Sequence, residues 1–328
     1  MTTKKRINLS ALFIFSATIL LFSLGLSHQE IIAFDSRFYL FAQEMLQHGY
    51  RFFPTTYDNS YPDYPGTSTW MIVFFAKLFG GLNKTIALLP SIIAAAITLS
   101  FTYLIGSLYE ERIGWAAVFF LLLTLFFMKT IRSISLDMMV ACITTMTFYL
   151  IHSSKIKNIN RIFWIYPLFI FGFLIRGPIG LVMPAGVMCG YYLVSQDYKL
   201  LLKQGIITLI ILMCCIGILI LFAYQVGGSS FINEVLRMQV FGRLDAANLP
   251  RYFYFFDSFG SGAIVYPIAI IVILSALAQW FKSRVMTDQM RFILLLTSWM
   301  LIILIGMSIP ADKKARYILR SSYKLPIK

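Results

Sequence analysis

Apolar runs recur along the chain near residues 7–26, 85–108, 113–131, 138–151, 162–175, 178–195, 204–225, 262–281 and 291–309, with short polar stretches between them. A helix needs about 20 mostly apolar residues to cross a hydrocarbon layer of about 30 Å. The runs at 138–151 and 162–175 are short, but they carry no internal charge and their flanks can complete them. One further stretch, TWMIVFFAKLFG within 67–80, is interrupted by Lys77 and is too short to cross. It is predicted to lie along the interface.

Charge tests this threading. With Lys4, Lys5 and Arg6 inside, the short loops holding Arg112, Lys155, Lys157, Arg161, Lys199, Lys203, Lys282 and Arg284 all fall on the same side. That satisfies the positive-inside rule, and counting 67–80 as a span breaks it. The pattern predicts an all-α polytopic membrane protein of about nine spans with its N-terminus inside. The first run is read as a retained span: it is longer than a signal-peptide core and has no clear cleavage site.

Between the first span and 67–80, the stretch IIAFDSRFYLFAQEML (31–46) has helical spacing. Phe38, Phe41, Ala42 and Met45 share one face, while Arg37, Gln43, Glu44 and Gln47 take the other. Asp35 is placed to cap this helix and Gly49 to stop it.

Composition agrees. The chain has 328 residues, is 59% hydrophobic, has a mean hydropathy of +0.78 and is only 13% charged, about half the usual globular share. A formal net charge of +14 on such a chain points to anionic lipid, not to nucleic acid. Cys142, Cys189, Cys214 and Cys215 all lie in apolar runs without metal-like or disulfide-like spacing, and read as packing residues.

The chemistry-bearing residues gather on the predicted external side. That side carries about as many cations as the inside, against the usual bias, as expected of a surface that neutralises a phosphate. Two acids stand at its membrane edges: Asp35, and Asp137 in RSISLDMMVA. Each reads structurally as a helix cap and functionally as a site acid, and at this point both readings stand. Arg132 lies five residues before Asp137, and IRGPIG (175–180) puts Arg176 at the top of a tight hairpin. The segments 234–256 and 309–319 add Arg243, Lys313 and Arg316 among aromatic residues. No Asp, Glu, Lys, Arg or His stands in the middle of a span, which disfavours an ion-coupled carrier.

In this order the pieces resemble the C-type-fold glycosyltransferases, in particular the aminoarabinose (lipid A) transferase and dolichyl-phosphate-mannose protein mannosyltransferase family. The resemblance is carried by DSRFYLFAQEML, DYPGTSTW with AKLFG, RSISLD, RGPIG and KKARYIL, and covers residues 1 to about 319. The chain departs from the lipid A branch at Tyr64-Pro65-Gly66, where Lys before Pro is usual, and at Ser36, where an acid is usual.

The resemblance implies a polyprenyl-phosphate sugar donor, a lipid or protein acceptor, and transfer on the non-cytoplasmic face of a bacterial inner membrane. It makes 1–319 a glycosyltransferase core with external loops 27–84 and 226–261, and 320–328 a short basic tail. Asp35 and Asp137 become the catalytic acids, and Arg132, Arg176, Arg243, Lys313 and Arg316 the donor-phosphate ligands. No cofactor is required; if a divalent metal takes part, Asp137 is its candidate ligand. Relatives continue into further spans after the last motif, so the chain reads as a shortened product with weak or no activity. The rival readings are a flippase of lipid-linked sugar, which would need a polar route through the membrane, and an inactive copy.

Overall fold

The computed structural model describes residues 3–26, 31, 34–241, 253–262 and 264–308. Its helices are α1 (Thr3–Ser23), α2 (Phe34–His48), α3 (Thr67–Leu78), α4 (Lys84–Gly106), α5 (Glu111–Leu122), α6 (Leu125–Ile131), α7 (Leu136–Lys157), α8 (Ile165–Arg176), α9 (Pro178–Val194), α10 (Tyr198–Leu236), α11 (Phe253–Gly262), α12 (Val265–Ser283) and α13 (Asp288–Ser308). A hairpin of β1 (Thr55–Thr56) and β2 (Asn59–Ser60) joins α2 to α3, and a π-helical turn, Arg237–Phe241, follows α10.

The described residues form the apolar helices of an integral membrane protein, but among them helix length does not yield nine spans. Among the described residues, six helices (α1, α4, α7, α10, α12 and α13) are long and apolar enough to cross, and α5 with α6 makes a seventh if the bent pair is one span. At 12 and 17 residues, α8 and α9 fall short of that length. The predicted span 113–131 is not a continuous helix. It bends by 74° at Thr124, whose backbone is extended and whose hydroxyl donates back to the Phe120 carbonyl at 3.2 Å.

Cross-helix bonds show which ends meet. Ser100 Oγ on α4 donates to the Ala11 carbonyl on α1 at 3.1 Å, and Arg6 pairs with Glu111 at the start of α5. Near the start of α7, the Ser135 N–H reaches Ser91 Oγ of α4 at 2.9 Å. Near the end of α7, His152 Nε2 lies 3.1 Å from Tyr109 Oη, just past α4. So α1 and α4 are antiparallel, and α4 and α7 are parallel. Asp35, Lys84, Asp137 and Arg176 share one end, here the head end, and Arg6, Glu111 and His152 share the other. Both ends of α3 stay at the head end: Trp70 Nε1 donates to the Arg51 carbonyl at 2.8 Å, and Tyr39 Oη donates to the Leu82 carbonyl at 3.0 Å.

The predicted faces of α2 largely hold. Phe38, Phe41, Ala42 and Met45 are buried where α2 packs on α3, and Gly49 stops the helix at φ +87°. Glu44 departs from its predicted polar face and is buried, accepting the Tyr57 backbone N–H. Tyr57 and Asp58 both have positive φ, the two-residue turn that matches strand twist, and Glu44 docks that turn onto α2. The segment 226–261 is not simply a loop either. α10 continues to Leu236 through a kink at Gly227 and Gly228.

Candidate active site

Asp35 lies in the first turn of α2, one residue past the helix start at Phe34, so it is not the cap that the sequence pattern predicted. Its Oδ1 instead accepts the Ile134 backbone N–H at 2.9 Å, across 99 residues of chain. The acid is half-buried under the α6–α7 turn. Burial pushes its carboxyl above the usual carboxylate range, and the Ile134 N–H and the nearby Lys84 charge oppose that only in part. Asp137 is not a cap either. Ser135 holds that position and accepts the Met138 N–H at 3.2 Å. Both carboxylates are thereby left for other work.

Asp137 forms an ion pair with Arg176 at the end of α8. The arginine side chain is 5% exposed and the aspartate 36%. The turn that delivers Arg176 depends on Gly177, at φ +62° and ψ −150°, a region open almost only to glycine. Pro178 then starts α9 with a φ already suited to a helix. Gly172 on α8 and Gly180 on α9 touch backbone to backbone and leave no room for a Cβ, which closes the hairpin tightly.

The Asp137–Arg176 pair sits in the wall of a cavity of about 390 Å³. The rest of the lining is mostly apolar, with Val140, Ile179, Met183, Trp299, Leu304 and Met307 prominent. A second cavity at the head end, about 750 Å³, is open and more polar; Ser36, Arg37, Gln43, Tyr57, Asn83 and Lys84 line it. Asp35 lines neither. Arg37 is held there by Asp63, 3.5 Å away, and its Nη1 donates to Tyr61 Oη at 3.2 Å. Asp63 in turn accepts from Gln239 Nε2 at 3.4 Å, which ties the π-helical turn to the segment between β2 and α3.

Of the sequence-predicted residues, Asp35, Asp137, Arg132 and Arg176 all come to the head end. Arg176 and Asp137 meet. Arg132 is exposed at the end of α6 and forms no ion pair among the described residues. Arg243, Lys313 and Arg316 lie outside the described residues. The sequence reading missed Glu44, Asp63, Ser135 and Gln239. No local signal marked them: Asp63 in YPDYPG reads as an ordinary turn acid, and its burial comes with Arg37 and Gln239 from distant segments.

Comparison with known proteins places this architecture. Residues 63–224 match the model of the dolichyl-phosphate-mannose-protein mannosyltransferase family. ArnT from Cupriavidus metallidurans bound to undecaprenyl phosphate aligns with a TM-score of 0.71 at 17% identity, over 94% of this chain and 57% of that one. The same protein in the apo state gives 0.68 at 18% identity, over 94% and 56%. The chain therefore has the C-type glycosyltransferase fold and resembles both branches to which its motifs pointed. It spans just over half the length of the solved structures it matches. No curated protein sequence matches it.

Proposed function

We propose that the chain transfers a sugar from a polyprenyl-phosphate donor to a lipid or protein acceptor on the non-cytoplasmic face of a bacterial inner membrane, with residues 1–319 as the transferase core. The observation that carries this reading is the pairing of buried Arg176 with part-exposed Asp137 in the wall of a mostly apolar cavity. A prenyl chain needs apolar walls, and its phosphate needs a cation at the end of them. The ArnT structure holding undecaprenyl phosphate supports the same donor class.

In the reaction the bond between the anomeric carbon and the donor phosphate oxygen breaks, and its electron pair leaves on the phosphate. An acceptor oxygen forms the new bond to that carbon and gives up its proton. Arg176 meets the growing phosphate charge, which calls for cations and no general acid. Arg132, Arg243, Lys313 and Arg316 complete the cationic surround. Asp137 orients Arg176. Asp35 takes the acceptor proton; its raised carboxyl makes it a better base than an ordinary aspartate. A single attack with one base gives inversion.

The test is undecaprenyl phosphate binding to the chain in lipid nanodiscs. Arg176→Met should weaken it at least tenfold, and Arg176→Met with Asp137→Asn, which leaves no unpaired charge, should do the same. Unchanged affinity in both variants would remove the donor site from this cavity.

A further inference from the structure

At the end opposite Asp35 and Asp137, a cavity of about 360 Å³ is lined by groups that the proposed transfer does not use. It lies between the α4–α5 turn, the last turns of α7 and α9, and the first turns of α13. His152 is buried among its walls, with Nε2 3.1 Å from Tyr109 Oη and Nδ1 3.1 Å from Tyr191 Oη. A neutral imidazole has one N–H and one lone pair. One tyrosine therefore spends its proton on the ring. The other accepts from the ring and keeps an O–H to donate elsewhere. Both tyrosines line the cavity.

Three charged side chains also line it: Lys155 at the end of α7, and Asp288 and Arg291 one turn apart on α13. All three are exposed, and none joins an ion pair among the described residues. Leu108, Ile156, Phe292 and Leu295 supply apolar walls. Two cations and one acid leave the lining with a single net positive charge.

We propose that this cavity binds the phosphodiester headgroup of an anionic glycerophospholipid. Lys155 and Arg291 meet the phosphate, the tyrosine O–H not given to His152 donates to one of its oxygens, and the acyl chains follow the apolar wall along α13. A phosphodiester carries one negative charge and matches the lining. A phosphate monoester carries between about 1.5 and 2 and would face Asp288 with charge unmatched. The bound lipid braces α13 against α7 and α9. Farther along the same helix, Trp299, Leu304 and Met307 form a wall of the head-end cavity.

Native mass spectrometry of the full chain, with phosphatidylglycerol titrated into detergent, tests this. One lipid should be retained, and Lys155→Ala with Arg291→Ala should weaken it about 30-fold, from about 1 kcal/mol per cation. Both residues are exposed, so the variant should fold, and an unchanged thermal midpoint would verify that. Lys199→Ala with Lys203→Ala removes two cations on α10 that do not line the cavity, and should leave retention intact. Tyr109→Phe combined with Tyr191→Phe should weaken retention severalfold. Phosphatidylcholine should bind at least fivefold more weakly than phosphatidylglycerol, and inorganic phosphate at about 10 mM should not displace the lipid. Any of four results would overturn the site: equal loss in the Lys199/Lys203 variant, equal retention in the Lys155/Arg291 variant, tighter retention of phosphatidic acid than phosphatidylglycerol, or displacement by inorganic phosphate.

Discussion

The two acids of the head end are held in opposite ways. Asp137 faces a buried guanidinium inside an apolar cavity, so its charge is matched before any ligand arrives. Asp35 has one backbone N–H, a more distant lysine and partial burial, and its affinity for a proton is raised. The difference separates holding from reacting. A carboxylate already matched by an arginine is a poor base but a good positioner; one that is incompletely compensated is ready to take a proton.

The strongest test of that contrast is Asp35→Asn. The amide oxygen can still accept the Ile134 N–H, so the turn should survive, while transfer should fall at least about a hundredfold. The stability sign differs from that of a structural acid. A carboxyl raised in the fold favours the folded state below its ordinary pKa of about 3.9, and that contribution is lost as pH rises through the raised value. At pH 7 the ionised group therefore costs stability, and the Asn variant should melt at or above the wild-type temperature. Activity of the unmodified chain should decline on the acid side at a pH above the usual carboxylate range, and that limb should vanish in the variant. A lower melting point with full activity would make Asp35 a structural residue.

A smaller effect is expected from Gly177→Ala. Forcing alanine into that backbone region costs about 1–3 kcal/mol, and a cationic group displaced by about 1 Å can lose up to 100-fold in rate. Transfer should drop about tenfold, with weaker undecaprenyl phosphate binding and little change in acceptor KM. An effect on acceptor KM alone would detach the α8–α9 hairpin from the donor side.

Asp137→Asn should do something neither of these does. It removes the carboxylate charge facing Arg176, so undecaprenyl phosphate should bind severalfold tighter while the melting temperature falls, because a buried guanidinium loses an opposite charge. Weaker binding would mean that Asp137 itself contacts the donor. The least effect belongs to Glu44→Gln, which keeps an acceptor for the Tyr57 N–H and should change transfer by less than about twofold. Topology offers a separate check. In a chain stripped of its own cysteines, Cys at exposed positions 58, 81 and 132 should react with an impermeant external reagent, and Cys at exposed 160 should not. Labelling at 160 with protection at 132 would invert the head end.

Much of the membrane architecture was legible because it depends on local pattern. Apolar runs had to be helices, since lipid satisfies no backbone polar group, and the buried face of α2 followed from the spacing of Phe38, Phe41, Ala42 and Met45. The RGPIG turn was legible too, because glycine and proline restrict the backbone wherever they stand. The break at Thr124 was not. The apolar run continues through residues 113–131 while the backbone turns by 74°, and hydropathy does not register a change of direction.

What the sequence determined alone was the alternation of apolar and basic segments, the non-crossing of 67–80 and the residues available for chemistry at one end. Only the tertiary structure decided what those residues do. Sequence could name Asp35 and Asp137 as acids and, by local rules, assign both to capping. Contacts over 99 residues of chain for Asp35, and between α7 and α8 for Asp137, gave one a backbone N–H and the other a guanidinium. Proton affinity and charge matching depend on burial and on partners that are distant in sequence, so two acids that read alike along the chain become different groups in the fold.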